Sequence, residues 1–519
     1  MRRAGGGACI ERSVSTPAHT SAAPTTHEPF DFAESAALEM QREGFDLSPV
    51  EGSDAQLAAI IAGHVDGAAD HREDLRSLSW SSIDNDSSRD LDQVEWAETI
   101  PGTGAIRVRV GIADVAATVA QGSPIDLFAQ RQSQTVYTAV RNFPMLPFAL
   151  STGLTSLNPA EDRNALVAEF VVAPDGGVTD RRLFAASVHN NAQLAYSHVG
   201  PWLNGDEHSA DSVLNAAPAV QLQVRLQDEA AQRLRAHRQA AGALDFRRAE
   251  AMPVVADGKV MSLESAVHNR AMDMIEDLMI AANETVATAL SAARRSGLRR
   301  VVKNPERWQR IVDLVHTATA NLPQPVTLPA QPDAKALNEF LCAERDRNPD
   351  HYPDLALAII KLMGAGEYVL ARGDDPDPPG HFALAAQDYA HSTAPNRRFA
   401  DLVTQRVVHA MLANAPAPYT DDELAAIALH CNERDKAARK VERAMLKRAQ
   451  AQALSHSIGH HYKAIVTGAG PKGIFVRVLQ PPVEGMLVHG GAGLDVGDRV
   501  NVTLVHTDAA KAFIDFARV

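Results

Sequence analysis

The carboxy-terminal stretch KAIVTGAGPKGIFVRVL, followed by EGMLVHGG and GDRVNVTLVHTDAAKAFIDFARV, alternates short apolar and polar runs punctuated by glycine. Period-two alternation of this kind gives strands with one buried face, and the glycines mark where each strand turns. Five such runs in about 60 residues fit a small closed β-barrel of the OB-fold type over residues 459–519.

The rest of the chain needs more than one core. At 519 residues it lies well above the size at which a single core stops growing, so two to four domains are expected. Residues 1–30, rich in Gly, Ser, Thr, Ala and Pro, read as disordered. Two helical patterns, SAALEMQRE and DAQLAAIIAGHV, flank the breaker run GFDLSPVEGS. They make residues 31–70 a small helical module, with a helix-turn-helix as one form it could take. From 71 to about 415 strands and helices mix without a break, and helical patterning then runs over 421–456. The fold class is therefore α+β and multidomain.

Cys9, Cys342 and Cys431 are scattered, which speaks against a disulfide framework or a thiolate zinc site and fits a reducing cytoplasm. There is no apolar run of membrane-spanning length, so a soluble, monomeric protein without a membrane partner is expected. The net charge of −14 argues against nonspecific coating of nucleic acid. Two segments depart from it, ARRSGLRRVVKNPERWQR (292–309) and RDKAARKVERAMLKR (434–448). Each reads equally as a solvated helix face or as a contact for phosphates.

The run SSIDNDSSRDLDQVEW places Asp84, Asp86, Asp90 and Asp92 within nine residues. Strand patterns on either side, LSWSSI and DQVEWAE, hold it as a loop between rigid elements. Asp90 and Asp92, two apart in extended chain, direct their carboxylates to one side. Crowded carboxylates repel unless a cation joins them, and hard divalent ions take oxygen ligands of this kind. An acidic turn with Asp and Ser capping backbone groups accounts for the run equally well in isolation.

The segment HREDLRSLSWSSIDNDSSRDLDQVEW resembles the opening of the RNB catalytic domain of the RNase II/RNase R exoribonucleases. The likeness continues in order through VRVGIADVAATVAQGSPID, VYTAVRNFPMLPFALSTGLTSLNP, AYSHVGPWLNG, ALDFRRAEAMPVVADGK, MIEDLMIAANETVA and HFALAAQDYAHSTAPNRRFADLVTQRVVHAML. The tail is similar to the S1 domain of these enzymes. The resemblance implies an RNB domain with its carboxy-terminal helices over 71–458 and an S1-type RNA-binding barrel over 459–519. It implies a processive 3′→5′ hydrolysis of single-stranded RNA to nucleoside 5′-monophosphates, with Mg²⁺ or Mn²⁺ as cofactor.

Carried over residue by residue, the resemblance makes Asp84, Asp90 and Asp92 the catalytic, metal-holding aspartates. Directly after Asp92 the family has a fourth aspartate, and this chain has Gln93. An amide oxygen can ligate a metal but carries no charge, so one ion is expected to bind more weakly. Arg397 matches the arginine at the scissile phosphate, in Ala394-Pro395-Asn396-Arg397 where the family has Ser-Pro-Ile-Arg; Arg398 is the second choice. Tyr137 and Phe246 match the aromatics at the two ends of a base stack. Tyr196 and Glu276 match contacts to the ribose that favour RNA over DNA. Glu276 and Asn283, seven apart, share a helix face.

The family carries two cold-shock domains at its amino end, where this chain has about 40 foldable residues. RNA anchoring is therefore expected to lean on the barrel and the basic helix at 434–448. Two other readings remain: an RNA-binding paralogue disabled at Gln93, and a phosphorolytic nuclease.

Overall fold

The computed structural model describes residues 30–63, 72–246, 251–256, 258–265, 268–375, 380–471 and 473–519. The disorder expected for 1–30 falls, but for its last residue, outside the described residues. Phe32–Val519 forms one compact unit.

At its centre lies a six-stranded sheet of β1 (Glu73–Asp74), β2 (Trp80–Asp84), β3 (Gln93–Thr99), β4 (Ile106–Ala113), β5 (Asp162–Val172) and β6 (Val178–Ala195), in the order β1-β6-β2-β3-β4-β5. The long β6 pairs in parallel with β2 through Asn190–Ala195 and antiparallel with β5 through Val178–His189, so the sheet curls back on itself. Both faces are covered, and the strands show it. On β3, Val94 and Trp96 enter one core with Trp80, while Ala97 enters the other with Ile83, Val108 and Val110. Gln93 and Glu95, in step with Ala97, point to the second face.

That second face is packed by α4 (Pro218–Ala240) and α5 (Arg270–Ala292), which follow α1 (Phe32–Arg42), α2 (Ser53–Gly63) and α3 (Pro124–Gln132) in the chain. The first face is packed by α6 (Phe399–Leu412) and the long α7 (Asp421–Leu454). The start of α7 is a capping box in which Thr420 and Glu423 bond reciprocally, a device that fixes the first turn of a long helix. Three further helices, Trp308–Thr319, Ala334–Arg347 and Tyr352–Met363, share a small apolar core of their own.

The expected barrel is present. Strands β7 (His461–Gly470), β8 (Gly473–Val478), β9 (Glu484–His489), β10 (Arg499–Asp508) and β11 (Phe513–Arg518) close it in the order β7-β8-β9-β11-β10. Gly485 is required in β9, since a Cβ there would lie 2.4 Å from the Ile514 carbonyl oxygen. Arg477 holds the barrel to the neighbouring helix with a two-pronged bond to Asp354 at 2.7 and 2.8 Å, and Arg499 pairs with Asp350 at 2.9 Å.

The two amino-terminal helices do not form a free-standing helix-turn-helix. α1 lies against α7 and α2 against α3, with Phe32, Ala36 and Met40 buried. This contact also engages three of the cations of α7. Arg448 pairs with Glu39 at 3.1 Å and Lys440 with Glu43 at 2.9 Å. Arg434 donates to the Gly44 carbonyl oxygen at 2.8 Å and stacks on Phe45. The other basic stretch is internal at its centre: Arg299 is buried on Asp388, and Arg300 bonds Asp435 at 3.2 Å, while Arg294, Lys303 and Arg307 are exposed. None of the described helices is long and apolar enough to cross a membrane.

Candidate active site

Leu91 is driven into the core between two aspartates, and this sets up the site. Its side chain is buried, its N–H donates to Ser156 Oγ at 2.9 Å, and its carbonyl oxygen accepts from the Leu157 N–H at 2.9 Å. With Leu91 pinned, extended geometry sends Asp90 and Asp92 to the other side. There they meet Asp84, at the end of β2, whose Oδ1 accepts from the Asn85 N–H at 2.7 Å.

The three aspartates line a cavity of about 400 Å³ together with Gln93, Tyr137, Tyr196, Thr393 and Arg397, and with Ile275 and Met279 as an apolar wall. The second half of the site comes from the loop before α6. Asn283 on α5 clamps that loop, accepting from the Ser392 N–H at 2.8 Å and hydroxyl at 2.9 Å and donating to the Tyr389 hydroxyl at 3.1 Å. Asn396 is buried; the Thr155 hydroxyl donates to its Oδ1 at 2.6 Å, and its own N–H donates to Asp92 Oδ1 at 2.9 Å. That last bond joins two segments 304 residues apart. It leaves Asp92 Oδ2 facing Arg397, whose Nε lies 3.7 Å away.

Charge is unbalanced here. Three carboxylates line the cavity against the single guanidinium of Arg397 among the described residues. Burial pushes Asp92 up to about 7, although Arg397 and the Asn396 N–H oppose it. Burial likewise raises Asp84, against the Asn85 N–H and Ser88. Glu95, fully buried on β3, is held well above the usual carboxylate range by burial and then by Asp84; neither of its oxygens has a hydrogen-bond partner among the described residues. Excess carboxylate with orphaned oxygen and no soft donor fits a hard divalent cation. Asp84, Asp90, Asp92 and the Gln93 amide are the groups that could hold one.

Tyr137 donates its hydroxyl to Asp90 Oδ2 at 2.6 Å, with the ring partly open to solvent. Burial raises the Tyr196 hydroxyl above its ordinary value, with Asp84 and Glu95 adding to the effect.

Five groups singled out in the sequence are not brought to the cavity. Arg398 is buried and holds Asp401 at 2.7 Å at the start of α6, which leaves Arg397 as the arginine of the site. Glu276 points away, 4.0 Å from Arg235 and beside His268 and Asp273. Ile275 and Met279, four apart on α5, occupy the stripe that faces the aspartates, and Glu276 lies about 100° around the helix from Ile275. Phe246 packs half-buried against the core of the Trp308–Met363 helices. Asp86 accepts from the Ser197 hydroxyl at 2.8 Å and lines a neighbouring depression with Arg89 and His198. Asn283 is a clamp behind the loop rather than a group in the cavity.

Comparison with known proteins agrees with this architecture. Residues 72–414 match the RNB domain model, and residues 460–519 match that of the RNase II-type exonuclease C-terminal S1 domain. The chain is 27% identical to ribonuclease R of Escherichia coli over 498 residues, covering 89% of this chain and 59% of that protein. Ribonuclease R 1 of Lactococcus lactis is 26% identical over 501 residues, again with 59% of its length spanned. The structure of Mycoplasma genitalium RNase R in complex with double-stranded RNA aligns with a TM-score of 0.82 at 25% identity, covering 94% of this chain and 83% of the other. The fold is shared as well by yeast Ssd1, described as a pseudonuclease, at a TM-score of 0.62 and 15% identity over 85% of this chain and 52% of that one.

Proposed function

The chain belongs to the RNB family, and from that premise we propose that it is a processive, hydrolytic 3′→5′ exoribonuclease that converts single-stranded RNA to nucleoside 5′-monophosphates. The observation that carries this reading is the convergence of Asp84, Asp90, Asp92 and Arg397 on one cavity, locked by the Asn396–Asp92 bond.

Mg²⁺ or Mn²⁺ held by Asp84, Asp90, Asp92 and Gln93 would supply the Lewis-acid polarisation of the scissile phosphate. Arg397, permanently charged and forked, meets phosphate oxygens as they gain negative charge, and it is placed against Asp92 before any substrate arrives. The Asn396 N–H holds one Asp92 oxygen, so the other keeps a fixed direction. Ile275 and Met279 offer an apolar wall, and Tyr137 an aromatic edge, against which a terminal nucleotide can rest without regard to sequence. Tyr196 is the group at the cavity suited to a ribose 2′-hydroxyl, which both donates and accepts. Anchoring of longer RNA falls to the barrel and to the exposed remainder of the α7 cations, because Arg434, Lys440 and Arg448 are engaged by α1 and the segment after it. The unpaired thiols of Cys342 and Cys431 fit a cytoplasmic setting.

Gln93 favours one rival, an RNA-binding relative without activity. A 5′-labelled RNA incubated with and without Mg²⁺ separates the readings. Metal-dependent shortening from the 3′ end with monophosphate products supports the proposal. Binding without shortening supports the rival, and phosphate-dependent release of diphosphates would make the enzyme phosphorolytic.

A further inference from the structure

Both halves of the aspartate cavity are held from behind by one short run of chain, residues 155–158, that does not itself line the cavity. Ser156 and Leu157 grip the aspartate strand. The buried Ser156 hydroxyl accepts from the Leu91 N–H at 2.9 Å, and the Leu157 N–H donates to the Leu91 carbonyl oxygen at 2.9 Å. Thr155, the residue before them, grips the loop that carries Arg397. Its hydroxyl donates to Asn396 Oδ1 at 2.6 Å, and Asn396 Nδ2 donates back to the Thr155 carbonyl oxygen at 3.4 Å, with both side chains buried. Because the Asn396 N–H donates to Asp92 Oδ1 at 2.9 Å, these bonds close a ring through Asp92, Asn396, Thr155, Ser156 and Leu91. Hydrogen bonds weaken steeply away from their preferred distance and angle, so no member of the ring can shift alone.

The run itself is tied to the central sheet. Arg163 on β5 donates from Nε to the Ser156 carbonyl oxygen at 3.0 Å, and Asn190 on β6 donates from Nδ2 to that of Leu157 at 2.8 Å. Arg397 has less to hold it. Its side chain is half exposed, and its one ion pair among the described residues is the 3.7 Å contact with Asp92. The direction of the guanidinium is therefore set by its backbone, which is fixed by Asn396 before it and by the Thr135 N–H, donating to the Arg397 carbonyl oxygen at 2.9 Å. An apolar side chain at 396 would fill the same buried space without needing a partner. What the amide adds is a fixed distance and angle to Thr155.

We propose that Thr155 and Asn396 are positioning residues, whose side-chain pair sets Arg397 in the orientation in which it meets the scissile phosphate. The proposal rests on the reading of the chain as an exoribonuclease. Neither side chain lines the cavity, so their effect passes through Arg397.

The test measures monophosphate release by the full chain with Mg²⁺ at limiting and saturating single-stranded RNA, with folding checked by circular dichroism. Thr155→Val keeps the shape and removes the hydroxyl. It should lower kcat by about ten- to a hundred-fold, as small misplacements from outside the reacting centre do, and leave KM within about two-fold. Thr155→Ser, which keeps the hydroxyl, should stay within a few-fold of the wild type. Asn396→Leu should match Thr155→Val, and the double variant should be no slower than either, since each change removes the same pair. The double variant strands no buried partner and serves if a single one does not fold. The decisive arm repeats Thr155→Val in an Arg397→Ala background, where the further loss should be under about two-fold because the group being positioned is gone. Equal losses with and without Arg397 overturn the proposal. So do a raised KM at constant kcat, a full rate in folded Thr155→Val, or a Thr155→Ser variant as slow as Thr155→Val. A wild-type chain that releases no monophosphate overturns the nuclease reading itself.

Discussion

Asp92→Asn should stabilise the metal-free protein, and by an amount that depends on pH. In the folded chain burial pushes the Asp92 carboxyl from 3.8 up to about 7. Below pH 4 the group is protonated in both the folded and unfolded states and contributes nothing. Between pH 4 and 7 only the folded chain holds the proton, so stability falls as pH rises, by about 1.4 kcal/mol per unit. Above 7 the loss levels off near 4 kcal/mol, the product of about three units and 1.36 kcal/mol per unit. Asparagine keeps the oxygen that accepts from the Asn396 N–H and carries no charge to desolvate. With about 2.1 cal/mol/K of unfolding entropy per residue, the unit Phe32–Val519 loses about 1 kcal/mol for each degree of Tm. The variant should therefore melt about 4 °C above the wild type at pH 8 in chelator, and close to it at pH 4. Saturating Mg²⁺ at pH 8 should reverse the order, because the cation compensates the carboxylate only in the wild type. An offset in chelator that does not change between pH 4 and pH 8 would refute the assignment of the burial penalty to Asp92.

Arg397→Ala should slow monophosphate release by about 10²–10³, the usual loss when one transition-state donor is removed, with RNA affinity changed by less than ten-fold in a filter-binding assay. Arg398→Ala should instead lower Tm, because its guanidinium is buried on Asp401. Tyr196→Ala should narrow the preference for RNA over DNA in paired rate measurements, whereas Glu276→Gln should leave it unchanged. Replacing Glu39 and Glu43 together with glutamine releases Arg448 and Lys440. The log–log salt slope of single-stranded RNA binding should then steepen by up to about 1.4, at roughly 0.7 per phosphate contact, and an unchanged slope would show that these cations face no RNA.

The parts of the site that the sequence disclosed are those set by local spacing. Asp90 and Asp92 flank Leu91, and extended chain alone puts them together; the run from Ala394 to Arg398 likewise reads as one loop. Glu276 was misplaced because a helix offers several faces, and α5 turns Ile275 and Met279 to the cavity where motif position favoured the acid. Three cations of the basic helix, Arg434, Lys440 and Arg448, were open to reading as RNA contacts because their partners, Gly44, Glu43 and Glu39, lie about 400 residues earlier. No short-range pattern carries such pairing. Phe246 belongs to the packing of three helices whose arrangement is likewise long-range. Glu95 had a visible signal that went unused: it sits between Val94 and Trp96 in a strand whose two faces are both buried, where an acid needs a reason.

The seat of α1 on α7 also imposes a timetable. Ser35 and Arg448 bond each other across 413 residues, so the first helix leaves the ribosome long before its partner exists. At roughly 5–20 residues per second, that interval lasts on the order of 20–80 s. Throughout it Phe32, Ala36 and Met40, buried in the finished fold, must stay solvated or in the care of a chaperone. The helix can therefore settle only once α7 has been made, and its docking marks a chain translated through to α7.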